Sequence, residues 1–291
     1  MQTIAGVPAE FSTEALRRRY ADLAHLDDDA ILAHYEDHGR AEGRVASDAA
    51  LRADFVKLID PDARLLEIGP YVMPVFEGPN VQYLDVFDAA TLRSRALSCG
   101  IDVSRCPAEI HYTQGLQPCA GEDFDIVFSS HAIEHQPDLI RHLQEVGAAL
   151  KPGGAYWIII PDKRFCFDHH LPESGLADVL DAYLEKHTRH SARSVINHMV
   201  LQDHNDPLAH WQGRHGEVSE GDVERVRNAM QHFEDHRSGY IDCHAWQLTP
   251  DRFRSIHASL RQLGLSPFSE MKVYDTPFGN FEFTAILTKD D

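Results

Sequence analysis

Basic residues are scarce in this chain of 291 residues. It has 27 lysines and arginines against 46 aspartates and glutamates, so its formal charge at pH 7 is −19. Proteins that bind a nucleic-acid backbone or an anionic membrane surface present clustered lysine and arginine side chains to the phosphate groups. We therefore expect neither a nucleic acid nor a membrane as the main partner.

Cysteines and long apolar runs are also few. The five cysteines form no CxxC pair and match no zinc or disulfide framework, which indicates a reducing compartment. The longest apolar stretch, around residues 156–160, is far too short to span a bilayer. The N-terminus lacks a basic segment followed by an apolar core, so no signal peptide is predicted. We expect a cytoplasmic protein.

The remaining composition is that of a globular protein, with 43% hydrophobic and 25% charged residues. Short apolar runs alternate with helix-like stretches, which is typical of a mainly parallel α/β sheet. Five strands are predicted, over residues 63–69, 80–86, 108–113, 124–130 and 155–161. After a helix that begins at Thr249 and Pro250, residues 271–276 and 281–287 are expected to form a closing hairpin.

Two regions lie outside this alternation. Residues 1–46 predict a small N-terminal helical extension, and a helix over residues 47–59 then opens a domain that runs over residues 47–291. Residues 163–249 carry at least three helix-like apolar stripes and are too long for an ordinary link between strands. Of the 19 histidines, 11 lie in this insertion. An insertion at the carboxyl edge of a sheet is well placed to cover a ligand crevice.

The first two predicted strands end in residues that suit a cofactor. Gly69, after strand one, lets the backbone approach a ligand closely. The carboxylate of Asp85, after strand two, can accept hydrogen bonds from both hydroxyls of a ribose. These two residues alone are also compatible with a dinucleotide site.

Three further stretches, FDIVFSSHAIEHQPD, LQEVGAALKPGG and AYWIIIPD, follow in a characteristic order and spacing. With them, the sequence resembles class I S-adenosylmethionine-dependent methyltransferases of the small-molecule branch, over roughly residues 60–163 and 250–288. The resemblance implies an α/β, Rossmann-like seven-stranded sheet whose last strand is antiparallel, and S-adenosyl-L-methionine as cofactor. It also assigns cofactor contacts by position, to Glu67, Gly69, Pro70, Asp85, Gln114, Gly115, Ser130 and His131.

The glycine loop departs from the usual E-x-G-x-G-x-G pattern of that family. Tyr71 and Met73 stand at the positions of the second and third glycines, while Pro74 fits a variant form of the loop. A degenerate domain that no longer binds the cofactor is therefore an alternative.

Transfer of a methyl group to a hydroxyl needs a base, and the ordinary pKa of histidine suits that task. We predict that the catalytic residues are among His131, His135, Asp162 and His170. A structural role competes for His131, for His135 at the start of a helix, and for Asp162, which can cap the next turn.

The stretch PDKRFCFDHHLPES resembles a subgroup of bacterial methyltransferases associated with polysaccharide clusters. This resemblance implies an acceptor-binding region, for which we name Lys163, Arg164, Asp168, His244 and Trp246. Lys163 and Arg164 could hold an anionic group or pair with nearby acids. Trp246 could stack on the face of a sugar or anchor the insertion.

The sequence therefore predicts methyl transfer to a hydroxyl of a small molecule, such as a sugar or a glycosylated metabolite. The alternatives are N-methylation of an amine or amino sugar, and a non-catalytic binding subunit. No metal site is predicted, although Asp168 with His169 or His170 could hold a divalent ion. A small-molecule acceptor is the expected partner, and a homodimer is left open.

Overall fold

The computed structural model describes residues 7–218, 221–237 and 239–290. Its strands are β1 (Leu65–Ile68), β2 (Val81–Leu84), β3 (Phe124–Ser130), β4 (Leu150–Pro161), β5 (Phe268–Tyr274) and β6 (Glu282–Lys289). They form one sheet in the order β2-β1-β3-β4-β6-β5. The first four strands pair in parallel, whereas β6 is antiparallel to both β4 and β5. The chain thus has a Rossmann-like α/β sheet whose last strand is antiparallel.

The expectation of seven strands is wrong for the described residues, which form a sheet of six. The segment predicted as a strand over residues 108–113 makes only one parallel bridge, from Tyr112 to Leu84 of β2. Beside it, the N–H of Tyr83 donates to the ring Nδ1 of His111 at 3.1 Å. The His111 ring accepts the N–H of Tyr83, which a backbone carbonyl would accept in a regular pair of strands. The segment therefore does not extend its single bridge into a strand.

Helices flank the sheet on both faces. The described residues form α1 (Thr13–Arg19), α2 (Asp28–His34), α3 (Arg52–Phe55), α4 (Ala89–Ser98), α5 (Leu139–Ala149), α6 (Leu176–Leu184), α7 (Ala192–Leu201), α8 (Pro207–Trp211), α9 (Val223–Asp235) and α10 (Pro250–Gln262). Helix α5 begins after Asp138, whose carboxylate accepts the N–H of Arg141 at 2.9 Å and caps the helix. None of the helices in the described ranges is long and apolar enough to cross a membrane.

Apolar side chains are buried on both faces of the central strands. On β4, Tyr156, Ile158 and Ile160 pack into the core that lies between the sheet and helices α5 and α10. The intervening Trp157 and Ile159 pack into a second core on the opposite face. This alternation follows from the two-residue period of a strand, and burial of both faces explains the continuous apolar run in the sequence.

The N-terminal residues form a small helical unit in which α1 and α2 pack around Leu16 and Ile31. The single helix predicted over residues 47–59 is wrong. The chain there forms two 3₁₀ turns, Asp48–Ala50 and Val56–Leu58, on either side of α3. Leu51 has an extended backbone (φ −98°, ψ 121°), and this break directs both Ala49 and Phe55 into the core on the sheet.

The insertion of residues 163–249 contains α6 to α9 and returns to the end of β4. The N–H of Lys163 donates to the carbonyl of Leu248 at 2.9 Å, and the N–H of Ser174 donates to the carbonyl of Gln247 at 3.0 Å. These bonds fix the last residues of the insertion beside the carboxyl end of the sheet. The segment 240–248 is thereby brought next to the 3₁₀ turn Ile133–His135, which follows β3.

Candidate active site

A cavity of about 580 Å³ lies at the carboxyl ends of β1, β2 and β3. From the sheet side it is lined by Gly69, Tyr71, Asp85, Gly115, His131 and His135. From the insertion it is lined by Arg189, His190, Phe233, Tyr240, Ile241 and Asp242. Ligands of open α/β sheets bind outside the carboxyl ends of the strands, and this volume is typical of small-molecule sites. The cavity is therefore the candidate active site.

A sharp turn after β1 forms one wall of the cavity. Gly69 has a φ of +70°, a conformation that glycine adopts without strain. Tyr71 also has a positive φ, of 49°, which is uncommon for a residue with a side chain. The N–H of Tyr71 donates to Oδ2 of Asp85 at 3.2 Å, which links the turn to the end of β2. Tyr71 thus stands at the second glycine position of the loop and lines the cavity.

Glu67 is buried beneath this turn and does not line the cavity. Its two carboxylate oxygens accept the N–H groups of Val75 at 2.8 Å and Phe76 at 3.0 Å. Burial raises the pKa of Glu67 to about 7, although the two hydrogen bonds act in the opposite direction. The observed contacts of Glu67 therefore hold the loop that follows Gly69.

Asp85 presents a carboxylate to the cavity at the end of β2. The residue is only 8% exposed, and its Oδ1 accepts the N–H of Val86 at 2.7 Å. Burial raises the pKa of Asp85 against the effect of its backbone hydrogen bonds. Each carboxylate oxygen can accept more than one hydrogen bond, so Asp85 retains the capacity to bind hydroxyl groups of a ligand.

His131 stands at the end of β3 with its imidazole held in place. Its Nε2–H donates to Oε2 of Glu282 at 2.7 Å, and Arg52 donates to both oxygens of Glu282 at 2.9 and 3.0 Å. Burial alone would raise the pKa of Glu282, but His131 and Arg52 lower it to about 2. Glu282 is therefore ionised near neutral pH. The other ring nitrogen, Nδ1, takes part in none of the hydrogen bonds of the described residues.

A second group of titratable side chains lies where the turn after β3 meets the insertion, and His135 and Asp242 of this group line the cavity. Nδ1 of His135 lies 3.1 Å from Oδ1 of Asp242, and its Nε2 lies 3.7 Å from Oε1 of Glu134. Nε2 of His244 lies 3.8 Å from the same Glu134 oxygen, and its Nδ1–H donates to Asp168 at 2.6 Å. The adjacent His135 lowers the pKa of Asp242 to about 2. Burial lowers the pKa of His244, but Asp168 outweighs that effect and the net shift is upward.

Only half of the eight predicted cofactor residues line the cavity. Gly69, Asp85, Gly115 and His131 line the cavity, whereas Glu67, Pro70, Gln114 and Ser130 do not. The hydroxyl of Ser130 accepts a hydrogen bond from Arg52 at 2.6 Å, so it belongs to the group that supports Glu282. Pro70 is buried within the turn after β1, and Gln114 is exposed.

The predicted acceptor residues Lys163, Arg164, Asp168, His244 and Trp246 all lie behind the cavity wall. Nζ of Lys163 donates to a backbone carbonyl at 2.8 Å. Arg164 binds the carboxylate of the fully buried Asp162 through three contacts of 2.6 to 3.2 Å. The buried Trp246 donates its indole N–H to the carbonyl of Gln136 at 2.7 Å. These contacts anchor the insertion to the sheet.

His170 lies in a separate histidine-rich part of the insertion and does not line the cavity. Its Nε2 donates to the carbonyl of Gly216 at 2.9 Å and lies 3.3 Å from Oδ2 of Asp203. The hydrogen bond of Asp168 goes to a different histidine. The sequence suggests that Asp168 could share a divalent ion with His169 or His170. The structure does not bring the ligand atoms of these residues together.

The insertion residues that line the cavity were not among the site residues predicted from the sequence. Arg189 and His190 come from the loop after α6, and Tyr240 and Asp242 come from the loop after α9. Burial lowers the pKa of His190 to about 4. No spacing pattern joins two loops so far apart in the chain. The concentration of histidines in the insertion was the one available signal.

The chain matches a known protein family. The family profile described as "Methyltransferase domain" matches residues 39–216, which is more than half of the chain. No curated protein sequence matches the chain.

Several solved structures also match the chain. A DhpI complex with SAH is 13% identical, covers 97% of this chain and 99% of its own, and has a TM-score of 0.38. The CurJ carbon methyltransferase is 13% identical, with coverages of 96% and 67% and a TM-score of 0.39. The PH0226 protein from Pyrococcus horikoshii OT3 is 15% identical, with coverages of 83% and 88% and a TM-score of 0.38. Identity and TM-score are low in all three, so we infer no reaction from them.

Proposed function

Because the chain belongs to the methyltransferase-domain family and is an S-adenosylmethionine-dependent enzyme, we propose that it methylates a hydroxyl group of a small molecule of the sugar class. The observation that carries the proposal is the pair of His131 and Glu282 at the cavity. Glu282 accepts the Nε2–H of His131 at 2.7 Å, which leaves Nδ1 as the nitrogen with a lone pair. A base whose second nitrogen is held by a carboxylate is the arrangement that proton removal from a hydroxyl requires.

The residues at the ends of β1 and β2 fit the cofactor. The Asp85 carboxylate lines the cavity and can accept hydrogen bonds from ribose hydroxyls. Gly69 lines the cavity with a positive φ of +70° and has no side chain, so the backbone of this turn is open to a ligand. When bound, S-adenosylmethionine supplies a methyl carbon that its sulfonium already makes electrophilic.

The protein's own part of the reaction is to place the acceptor and to remove its proton. A hydroxyl becomes an effective nucleophile only as its O–H bond breaks. In our proposal, Nδ1 of His131 takes the proton of the acceptor hydroxyl. The acceptor oxygen would then receive the methyl group that the bound cofactor supplies, and the sulfur would leave with the electrons of the broken sulfur–methyl bond as S-adenosylhomocysteine. The ionised Glu282 stabilises the resulting imidazolium, and Arg52 holds Glu282 in position.

The lining of the cavity supports a polyhydroxylated acceptor. Arg189, His190 and Asp242 offer hydrogen-bonding groups on the insertion side. Tyr240 and Phe87 pack edge to face with ring centroids 6.0 Å apart, and both line the same cavity. Aromatic surface combined with a few polar groups suits the apolar faces and the hydroxyls of a sugar ring.

Label transfer from S-adenosylmethionine carrying a tritiated methyl group tests this proposal. The acceptors are a set of uridine-diphosphate sugars and methyl glycosides, each paired with its 2-amino analogue. We expect label on the hydroxyl sugars. His131→Gln should lower kcat by about 10²- to 10⁴-fold, the range for loss of a general base, and change the KM for S-adenosylmethionine by less than about threefold. His38→Gln, at an exposed histidine of the N-terminal unit, should leave both constants unchanged.

Two results would contradict the proposal. If His131→Gln retains kcat within about threefold of the wild type, His131 is not the base. If label enters only the amino analogues, the enzyme is an N-methyltransferase, for which the same variant has little effect.

A further inference from the structure

Glu134, His135 and His244 converge at the cavity wall, where His135 lines the cavity and the other two lie behind it, and we call them the Glu-His-His triad. Oε1 of Glu134 lies 3.7 Å from Nε2 of His135 and 3.8 Å from Nε2 of His244. One ligand atom from each of the three residues lies within 4.8 Å of the other two. Ligand atoms of a tetrahedral zinc ion are about 3.4 Å apart, given metal–ligand distances near 2.1 Å. The triad therefore needs only a small contraction to share one ion.

The carboxylate of Glu134 gives the strongest indication that a cation binds between these side chains. It is fully buried, and neither of its carboxylate oxygens has a hydrogen-bond partner among the described residues. A buried carboxylate without a partner costs several kcal/mol, and native proteins rarely leave one in that state. A cation placed between Glu134 and the two imidazoles would supply the missing partner.

Each imidazole of the triad also faces a carboxylate with its other nitrogen. Nδ1–H of His244 donates to the buried Asp168 at 2.6 Å. Nδ1 of His135 lies 3.1 Å from Asp242, at ion-pair distance although out of line for a hydrogen bond. Metal-binding histidines commonly use their second nitrogen in this way, because a carboxylate there orients the ring and makes it a stronger ligand. Both rings thus direct Nε2 towards Glu134.

Backbone contacts hold the two halves of the triad together. The carbonyl of Glu134 accepts the N–H groups of Ala245 at 2.7 Å and Trp246 at 3.2 Å. The indole N–H of Trp246 donates to the carbonyl of Gln136, a residue 110 positions earlier in the chain. His244 precedes these anchored residues directly, so its ring is positioned against Glu134 before any ligand binds.

The charges and the donor atoms indicate which ion would bind. Glu134, Asp168 and Asp242 surround the two imidazoles, so three carboxyl groups lie close to the position at which a cation would bind. Two imidazole nitrogens and one carboxylate suit Zn²⁺ or a similar first-row ion, whereas Mg²⁺ prefers oxygen ligands and water. We propose that Glu134, His135 and His244 bind one divalent cation of the Zn²⁺ class at the wall of the cavity.

A rival cluster in the insertion provides the comparison. His169, His210 and His215 also bring ligand atoms within 4.8 Å. The rings of His169 and His215 are stacked at 3.6 Å and 12°, and the Nδ1 atoms of His210 and His215 are already hydrogen-bonded to each other at 2.9 Å. Stacked rings do not direct their nitrogens to one point, and His215 is exposed. This cluster therefore supplies a matched control rather than a second site.

Metal binding by the full-length protein, after treatment with a chelator, tests the proposal. We expect one Zn²⁺ per chain by calorimetry and by elemental analysis, no binding of Mg²⁺, and visible absorption bands when Co²⁺ is added. Asp168→Asn should lower the Zn²⁺ affinity by about 10- to 100-fold, as expected for a carboxylate that supports a ligand. Glu134→Gln and His244→Ala should lower it further. His215→Ala should leave the affinity within about twofold of the wild type.

The outcomes separate the two clusters. The proposal is overturned if the wild-type protein binds no Zn²⁺, if Glu134→Gln and His244→Ala bind it as well as the wild type, or if His215→Ala loses it. Circular dichroism shows whether each variant is folded. Should His244→Ala fail to fold, Asp168→Asn decides by the same titration, because it keeps the shape of the side chain. No acceptor or turnover is needed, so the result does not depend on the proposed reaction.

Discussion

The central strands and the insertion form opposite walls of the same cavity, and they are packed differently. Every residue of β4 from Ala155 to Pro161 is buried. In α9, by contrast, Ala229 is the one buried residue, and Val223 and Met230 remain 65% and 55% exposed. The sheet wall is therefore held by apolar burial on both faces, whereas the insertion wall is packed around two small apolar clusters.

This difference has a functional meaning. On the sheet side, Asp85 and His131 are each held by neighbouring residues of the fold. The insertion side adds titratable groups of its own, among them His190 and Asp242. Binding residues on loops that a rigid scaffold positions are common in enzymes, and the tightly packed strands beside the less tightly packed insertion fit that arrangement.

The largest effect is expected from a cavity created in the sheet. Leu66 of β1 is fully buried in the core, so Leu66→Ala should lower the free energy of unfolding by about 2–5 kcal/mol. Leu184, at the end of α6 in the insertion, is 72% exposed. Leu184→Ala should therefore change the free energy of unfolding by less than about 0.5 kcal/mol. Urea unfolding measures both. Equal losses would mean that the two walls are not packed differently.

A smaller effect is expected from Asp85→Asn, which neutralises a carboxylate on the sheet side. Hydrogen bonds to a charged group contribute about 1.5–3 kcal/mol, so the affinity for S-adenosylhomocysteine, the product form of the cofactor, should fall at least about tenfold. Asp181→Asn, at an exposed position of α6, is the matched control and should bind as the wild type does. Calorimetry that gives the same affinity for all three proteins would remove Asp85 from the cofactor site.

The smallest expected effect is a dependence of stability on pH, caused by the buried histidines of helices α5 and α10. Burial lowers the pKa of His142 to about 3 and that of His257 to about 4, from an ordinary value of 6.5. The unfolded chain therefore binds protons that the folded chain does not, and stability should fall as the pH drops from 6.5 towards 4. Each histidine contributes at most about 1.4 kcal/mol per pH unit in that window.

Urea unfolding at pH 7, 6 and 5 measures this slope. His257→Gln should reduce the slope, because it removes one of the histidines whose pKa is lowered by burial. His25→Gln, at an exposed position of the N-terminal unit, should leave the slope unchanged. A slope that is the same in all three proteins would show that His257 is not held neutral by burial.

Much of the sheet could be predicted because its residues carry a local signal. The apolar runs at residues 63–69, 124–130 and 155–161 correspond to β1, β3 and β4, and the closing hairpin corresponds to β5 and β6. The segment 108–113 had the same signal but did not form a strand, since the His111 side chain accepts a hydrogen bond from the neighbouring strand. The segment 47–59 failed as one helix because Leu51 is extended.

The site was predictable only where it follows the ends of strands. Gly69, Asp85 and His131 could be placed at the cavity because parallel strands deliver their carboxyl ends to one edge. The predicted acceptor residues Arg164 and Trp246 instead anchor the insertion. Whether a polar residue of an insertion faces a ligand or a neighbour depends on contacts between distant segments, and no local period encodes them.

The sequence by itself determined the class of fold, the family and the strand ends that line the cavity, because strand period and short motifs act over a few residues. Only the tertiary structure brought Glu134 against His244 and His131 against Glu282. Each of these pairs joins residues more than 100 positions apart, and their meeting depends on how the insertion returns to the sheet and how β6 enters it. The 19 histidines are accordingly several separate groups, and the fold decides which of them face the cavity.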